Sequence, residues 1–161
     1  MDWTIEELNM QTLEGAIAAI RSVPEFFYER DFLQAEISYR AFASRHMPGS
    51  LFLTARRGQE VFAVIGAVPR LDADRVYFLA SFAVKKSSRG GGIGRTLLTA
   101  MEERLRQNGA RILFTETTTS AYCDGTRAFY EAMGYRLVAE VPDFWADGDP
   151  LALYEKRLDI Q

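Results

Sequence analysis

The chain has 161 residues, of which 48% are hydrophobic and 25% are charged; this fits one folded domain over residues 1–161 and excludes a disordered chain. Its formal net charge of −3 argues against a general nucleic-acid-binding protein, which is usually basic. One cysteine, Cys123, and one histidine, His46, exclude an internal disulfide and a multi-histidine metal site, so we expect no metal.

The beginning of the chain has neither the positive charges nor the apolar stretch of a signal peptide, and no apolar run is long enough to span a membrane. Together with the lone cysteine, this predicts a cytoplasmic protein without a membrane partner. A Ser-His-Asp or Cys-His enzyme would have to use His46. Because no nucleophile is patterned around it, we interpret His46 as a structural or surface residue.

Hydrophobic spacing predicts two helices after a weak first strand, and then three strands that form an antiparallel meander. A third helix begins at Ile93 and stops at Asn108-Gly109, and a fourth ends before Gly134, which suits a helix C-terminus. The predicted strands are 3–6, 51–55, 60–68, 75–84, 111–118, 135–141 and 151–158. The predicted helices are 12–22, 32–44, 93 to the stop at 108, and 124–133, and a loop is predicted at 142–150.

The succession strand–helix–strand over residues 75–118 implies a right-handed crossover between two parallel strands. A parallel pair beside an antiparallel meander makes the sheet mixed. We therefore predict an α/β fold with a mixed central sheet flanked by helices.

A glycine-rich turn lies between the strand that ends at Val84 and the third helix. Four of the five positions from Gly90 to Gly94 are glycine, so a ligand can approach the backbone closely. At a helix N-terminus the unpaired N–H groups and the positive end of the dipole bind phosphate. We predict a pyrophosphate site here, with a flexible loop as the alternative. The residues assigned to it are Arg89, Gly90, Gly91, Gly92, Ile93, Gly94 and Arg95.

Two other phosphate-binding motifs fit this turn less well. A P-loop needs Gly-Lys-Ser/Thr, and no lysine follows these glycines. A dinucleotide fingerprint needs a third glycine where Leu97 stands, and it usually opens the first unit of a larger doubly wound domain. We therefore predict another nucleotide-like cofactor as the ligand.

These residues resemble the acetyl-coenzyme A signature of the GNAT superfamily of N-acetyltransferases. In that family Arg/Gln-x-x-Gly-x-Gly/Ala opens a helix after a strand ending in a Leu-x-Val-like segment, which Phe82-Ala83-Val84 and the turn from Arg89 match. A second family segment, Phe-Tyr-x-x-x-Gly-Phe/Tyr, matches residues 129–135. The two motifs stand in the family's order, and the predicted elements match the family's fold over nearly the whole chain.

The resemblance implies a GNAT-like fold that binds acetyl-coenzyme A as co-substrate, and an amine that attacks the thioester directly. The strand ending in Phe82, Ala83 and Val84 should separate from its neighbour, so that its backbone groups pair with the pantetheine arm and polarise the acetyl carbonyl. Tyr130 occupies the position from which the family usually donates a proton to the leaving thiolate. The alternative for Tyr130 is an aromatic ring that only packs.

Cys123 is the one departure from the family pattern. Many members carry an asparagine there that helps to hold the pantetheine arm. Because of this position, the resemblance assigns Cys123 to the cofactor site. Asp124 is the alternative residue for the contact with the pantetheine arm. A nucleophilic Cys123 is an alternative chemistry, for which no paired histidine is evident.

Glu116 is the first candidate for the base, or for recognition of the amine, because a carboxylate is unusual on an apolar strand. The alternative is that it faces a polar surface or pairs with an arginine such as Arg127. In the predicted loop, Asp143 and Asp147 are candidates to meet a cationic acceptor, with a cation–π contact from Trp145. Solvated loop carboxylates are the alternative.

The predicted function is acetyl transfer from acetyl-coenzyme A to a primary amine of a small molecule, peptide or protein. A non-catalytic acyl-coenzyme A-binding sensor or interaction domain is the competing hypothesis. The acceptor is left open, with a weak preference for a cationic one. A homodimer is also expected as an option, because dimers are common in the superfamily the chain resembles.

Overall fold

A computed structural model describes residues 2–160 of the chain. The helices among them are α1 (Leu13–Arg21), α2 (Glu29–Ala43), α3 (Ile93–Gln107) and α4 (Asp124–Ala132). The strands are β1 (Thr4–Glu7), β2 (Leu51–Arg57), β3 (Glu60–Pro69), β4 (Val76–Val84), β5 (Ile112–Thr118), β6 (Arg136–Ala146) and β7 (Asp149–Arg157). Short 3₁₀ turns cover Pro24–Phe26, Lys86–Ser88 and Ala121–Cys123. The predicted order of elements is confirmed.

The strands are hydrogen-bonded in the order β1-β2-β3-β4-β5-β7-β6. The β4–β5 pair is parallel, whereas β1–β2, β2–β3, β5–β7 and β6–β7 are antiparallel. The sheet is therefore mixed, which confirms the predicted α/β fold class.

The chain divides into two compact units. The first unit comprises the residues up to Val68 together with Ala80–Arg104, and the second comprises Pro69–Leu79 together with the residues from Leu105 onward. The expectation of one domain over residues 1–161 stays a prediction.

The core of the first unit is built where α1 and α2 cover the strands. Leu13, Ile17 and Ile20 recur at helical spacing along α1 and are buried. Tyr39 on α2 is fully buried, and its hydroxyl is 2.8 Å from Ser81 Oγ on β4. This bond satisfies a polar group that would otherwise be costly to bury.

The second unit is organised around β5, which pairs with the start of β4 on one side and with β7 on the other. The rings of Phe78 and Phe114 stack across the parallel pair with centroids 5.1 Å apart. Helix α4 brings Tyr130 into contact with Tyr135 and Tyr154, at centroid distances of 5.5 and 6.3 Å. The three tyrosines are buried and belong to the unit's interior, whereas Phe78 and Phe114 are half-buried.

The predicted loop at 142–150 is wrong. Most of it belongs to strands, because β6 runs to Ala146 and β7 starts at Asp149. Pro142 indicated a break, but β6 is an edge strand, where the missing N–H of a proline is tolerated. Asp147-Gly148 then forms the hairpin turn, with Gly148 at φ 77°.

The start predicted for α2 is also wrong by three residues. The helix begins at Glu29, because the carboxylate of Asp31 accepts the backbone N–H of Tyr28 at 2.7 Å and so satisfies a donor at the helix start. Glu29, Arg30 and Asp31 carry no apolar side chain, so the hydrophobic spacing begins only at Phe32.

Candidate cofactor turn and catalytic strand

The glycine turn lies in the first unit and leads directly into α3. Gly90 and Gly92 have φ angles of 90° and 75°, which residues other than glycine rarely adopt. A Cβ atom added at Gly90, Gly91 or Gly92 would meet no protein atom within 4 Å. The outer surface of the turn is therefore open backbone, as an approaching phosphate requires.

The N-terminus of α3 is set by Gly92 and Ile93. The carbonyl of Gly92 accepts the N–H of Thr96 at 2.9 Å and its hydroxyl at 3.0 Å, while Ile93 is buried and anchors the first turn. The first turn of α3 contains no acidic side chain. Its leading N–H groups lack intrahelical partners, so this end of α3 is positive and suits an anion.

Arg89 is engaged within the first unit. Its Nε–H donates to the carbonyl of Val84 at 3.1 Å, and its guanidinium lies 5.3 Å from the centre of the Phe26 ring and 3.7 Å from Glu25. The side chain therefore ties the end of β4 to the turn that follows it. Arg95, one residue after Gly94 in α3, is exposed to solvent.

The end of β4 carries the other predicted cofactor residues of the first unit. Ala83 is buried, whereas Phe82 and Val84 are half-buried. The parallel register joins Val76–Phe78 to Ile112–Phe114, and β4 then runs on to Val84. Phe82, Ala83 and Val84 thus lie beyond the registered pairs. Their assignment to the pantetheine arm stays a prediction.

Tyr130 lies in the second unit, on α4, and is only 5% exposed. Burial raises the pKa of its phenol to about 12, although a hydrogen bond with Thr115 acts in the opposite direction. The phenol therefore keeps its proton throughout the neutral range and can serve as a hydrogen-bond donor.

Glu116 follows Thr115 on β5 and is exposed. Successive side chains of a strand point to opposite faces, so Glu116 lies on the face opposite to the Thr115–Tyr130 contact. Partial removal from water raises the pKa of this carboxyl, and the positive charge of Arg70 offsets part of that shift. The alternative partner Arg127 pairs instead with Asp124.

Cys123 directly precedes α4 and is buried. Burial raises the pKa of its thiol, while hydrogen bonds with Thr117 and Thr126 lower it to a lesser extent. A thiol held in its protonated form is a weak nucleophile. Burial and the raised pKa therefore favour a packing or ligand-lining role for Cys123 over nucleophilic chemistry.

Asp143 and Trp145 lie on β6 beside the hairpin turn. One carboxylate oxygen of Asp143 accepts the N–H of Gly148 at 2.7 Å, and the indole N–H of Trp145 donates to the carbonyl of Thr117 at 2.9 Å. Both side chains thus have bonds that stabilise the hairpin and its attachment to β5. Their assignment to acceptor binding stays a prediction.

Asp149 is a polar residue that the sequence analysis missed. It is 7% exposed, and its carboxylate accepts bonds from the hydroxyls of Thr118 at 2.6 Å, Ser120 at 2.9 Å and Tyr122 at 2.9 Å. These bonds hold the connection between β5 and α4. The sequence did contain a signal for this residue. Asp149 directly follows the turn-forming dipeptide Asp147-Gly148, after which a second hairpin strand is expected to begin.

Between residues 2 and 160, no group of three or more His, Cys, Asp or Glu side chains is arranged to hold a metal ion. Over that same span, no helix has the length and apolar character needed to cross a membrane.

The model of the acetyltransferase (GNAT) family matches residues 16–135. No curated protein matches the chain in sequence. Among solved structures, a GNAT-family protein from Desulfovibrio desulfuricans has a TM-score of 0.90 at 23% identity, with 97% of this chain and 99% of that one covered.

Two further structures have the same fold. The ribosomal-protein-S18-alanine N-acetyltransferase from Escherichia coli has a TM-score of 0.78 at 18% identity, covering 99% of this chain and 96% of its own. A protein from Salmonella typhimurium, described with its cofactor acetyl-CoA, has a TM-score of 0.78 at 16% identity, covering 100% of this chain and 96% of its own.

Proposed function

We propose, since the chain belongs to the acetyltransferase (GNAT) family, that it transfers the acetyl group of acetyl-coenzyme A to a primary amine of a small molecule, peptide or protein. The amine nitrogen attacks the thioester carbonyl carbon, the carbon–sulfur bond breaks, and the amine loses a proton while the sulfur gains one. The observation that carries the proposal is the open glycine backbone at the N-terminus of α3.

The glycine turn is proposed to bind the pyrophosphate of the donor. Backbone N–H groups from Gly90 to Gly94 supply the bonds, and the positive helix end supplies the field. Arg95 adds charge from the exposed side of the helix, and Arg89 adds charge while it holds the carbonyl of Val84. The structure of the Salmonella typhimurium protein with acetyl-CoA supports the choice of ligand.

The end of β4 is proposed to hold the pantetheine arm. The backbone of Phe82, Ala83 and Val84 would pair with its amides and polarise the acetyl carbonyl, since these residues lie beyond the β4–β5 register. Cys123 takes the family's asparagine position with a thiol in place of an amide, so its contribution to this contact is packing.

Tyr130 is proposed as the donor to the departing sulfur. Its phenol is protonated at neutral pH, and a hydrogen bond to the developing thiolate is strongest when the charge has formed, which lowers the barrier. The bond with Thr115 orients the hydroxyl before the cofactor arrives.

Glu116 is proposed as the base that receives the ammonium proton, directly or through a water molecule. A carboxyl whose pKa is raised by partial removal from water is a better proton acceptor than an ordinary glutamate. Asp143 and Trp145 are proposed to contribute to a cationic acceptor's binding surface, beyond their bonds within the hairpin.

The test is an acetyl-CoA-dependent assay of free thiol with a panel of amines, with mass spectrometry of the products. Acetylated amine and thiol released in equal amounts are expected. Tight binding of acetyl-CoA with no product from any amine would contradict catalysis and favour the alternative, a non-catalytic acyl-coenzyme A-binding module.

A homodimer is proposed through β6, the edge strand. Leu137, Val138, Val141 and Phe144 on this strand are between 39% and 51% exposed, and exposed apolar surface of this kind is typical of interfaces. Light scattering should give twice the monomer mass for the wild type and the monomer mass for Val141→Glu. We also propose a cytoplasmic setting, which suits the free thiol of Cys123.

A further inference from the structure

One face of the second unit combines two aromatic rings with charges of both signs. The register places Phe78 directly opposite Phe114, and Glu116 follows Phe114 by two residues on the same face of β5. The two rings are stacked at an interplanar angle of 23° and are half-buried, whereas Glu116 is exposed. The face thus offers a flat apolar area that ends at a carboxylate.

Arg70 lies at the other end of this aromatic area. Its backbone N–H donates to the carbonyl of Val76 at 2.8 Å, and Val76 precedes Phe78 by two residues on β4. The guanidinium and the carboxylate of Glu116 are close enough for each charge to alter the other's pKa. Val76 lies before the ring pair along the two parallel strands, and Glu116 lies after it. The backbone of Arg70, which is bonded to Val76, is therefore separated from Glu116 by the ring pair along the strand direction.

The guanidinium of Arg70 has donors to offer an anion. Its side chain is 60% exposed, and its Nε–H is bonded to Asp72 at 2.7 Å. The two terminal nitrogens carry the other four N–H groups, in the geometry that binds a carboxylate through two parallel bonds. On β5, Glu116 lies four residues after Ile112, the partner of Val76, which is roughly 13 Å between the two Cα atoms. The two charged groups lie closer together than this where their side chains extend toward each other.

We infer, building on the proposed acetyl transfer, that the acceptor is a zwitterion whose amine and carboxylate are separated by an apolar segment. The amine meets Glu116, the apolar segment lies on Phe78 and Phe114, and the carboxylate binds Arg70. A short apolar peptide with a free C-terminus has this chemistry. An α-amino acid does not, because its two charged groups are adjacent.

The test compares matched acceptors that differ only in the carboxylate. Leucyl-phenylalanine and 4-(aminomethyl)phenylacetic acid are each assayed beside their amides, with the wild type, Arg70→Gln and Arg75→Gln. Arg75 is the matched control, because it is an exposed arginine of the same connection and pairs with Asp74 as Arg70 pairs with Asp72.

In the wild type we expect the acids to have kcat/KM values about tenfold above those of their amides, as for a charge-assisted hydrogen bond. Arg70→Gln should raise KM for the acids about tenfold relative to the amides, because its effect on the pKa of Glu116 acts on acids and amides alike. Arg75→Gln should change neither. Equal use of acids and amides, or equal loss for both in Arg70→Gln, overturns the zwitterion while acetyl transfer stands. If no amine at all is acetylated, the proposed function itself fails, and the zwitterion with it.

Discussion

The glycine turn and β5 are the two regions assigned to chemistry, and they are built differently. The turn offers backbone N–H groups at a helix N-terminus, with no side chain over Gly90, Gly91 or Gly92. β5 offers side chains that alternate between a buried face, with Thr115, and an exposed face, with Glu116. A backbone site binds whatever group fits its N–H array, whereas a side-chain site changes its ligand with each substitution. In the proposed function, the turn therefore selects the donor, and β5 with its neighbours selects the acceptor.

The largest expected effect is at the turn. Gly92→Glu should reduce acetyl-CoA affinity more than 100-fold, because it places a carboxylate and a side chain where a pyrophosphate must approach the backbone. Calorimetric titration of acetyl-CoA measures this. Gly109→Glu is the matched control, since Gly109 also has a positive φ, of 82°, and open space around it; its affinity should equal that of the wild type. Retained affinity in Gly92→Glu would refute the assignment of the turn.

The second effect is at Tyr130. Tyr130→Phe should lower kcat about 100-fold and leave the Kd for acetyl-CoA within about twofold, because the phenol acts on charge that develops only in the transition state. Steady-state kinetics and titration measure the two quantities.

Tyr154→Phe is the matched control for Tyr130→Phe. Tyr154 packs on the Tyr130 ring and donates its own hydroxyl bond to Glu131 at 3.0 Å, so its substitution also removes one phenol bond from the same cluster. It should keep wild-type kcat. An unchanged kcat in Tyr130→Phe, or an equal loss in both variants, removes Tyr130 from the chemistry.

The third effect is a change in pH dependence at Glu116. A base must be deprotonated, so kcat should fall as the pH drops through the pKa of Glu116, which partial removal from water raises above the ordinary value of 4.5. Glu116→Gln should lower kcat about 10-fold or more and remove this acidic limb. Profiles at saturating acceptor measure it, and Glu60→Gln, an exposed carboxylate paired with Lys85, should keep the limb. A limb that survives in Glu116→Gln assigns the base elsewhere.

The smallest expected effect concerns stability rather than catalysis. Asp149→Ala leaves three hydroxyls without their acceptor and should lower the free energy of unfolding by about 2 kcal/mol. Asp147→Ala, in the exposed turn two residues earlier, should change it by less than about 0.5 kcal/mol. Urea denaturation compares them, and equal values would mean that the Asp149 network contributes nothing beyond a surface aspartate.

The sequence predicts the glycine turn more completely than it predicts the contacts made by individual side chains. The glycine turn is a local pattern, so its place at the start of α3 follows from Gly90, Gly92 and the apolar spacing after Ile93. The bond from Arg89 to Val84 and the backbone bond from Arg70 to Val76 depend on contacts between separate segments, which local patterns do not encode. The hydrogen bonds of Asp149 were not predicted for the same reason.

Strand edges are the other source of error. Pro142 reads as a break in any strand that needs its N–H group, and only the place of β6 at the edge of the sheet removes that need. Place in the sheet order is a tertiary property. The sequence pattern therefore did not predict the hairpin at Asp147-Gly148, although the dipeptide itself favours a turn.

Cys123 gives this protein a built-in label. It is the one sulfhydryl in the chain, and it is buried between Thr117 of β5 and Thr126 of α4. We therefore expect a thiol reagent to react when these two elements part, so that every adduct reports on the same event. The rate of labelling then measures how often β5 and α4 open, and how strongly a bound donor or acceptor slows that opening, without any engineered probe.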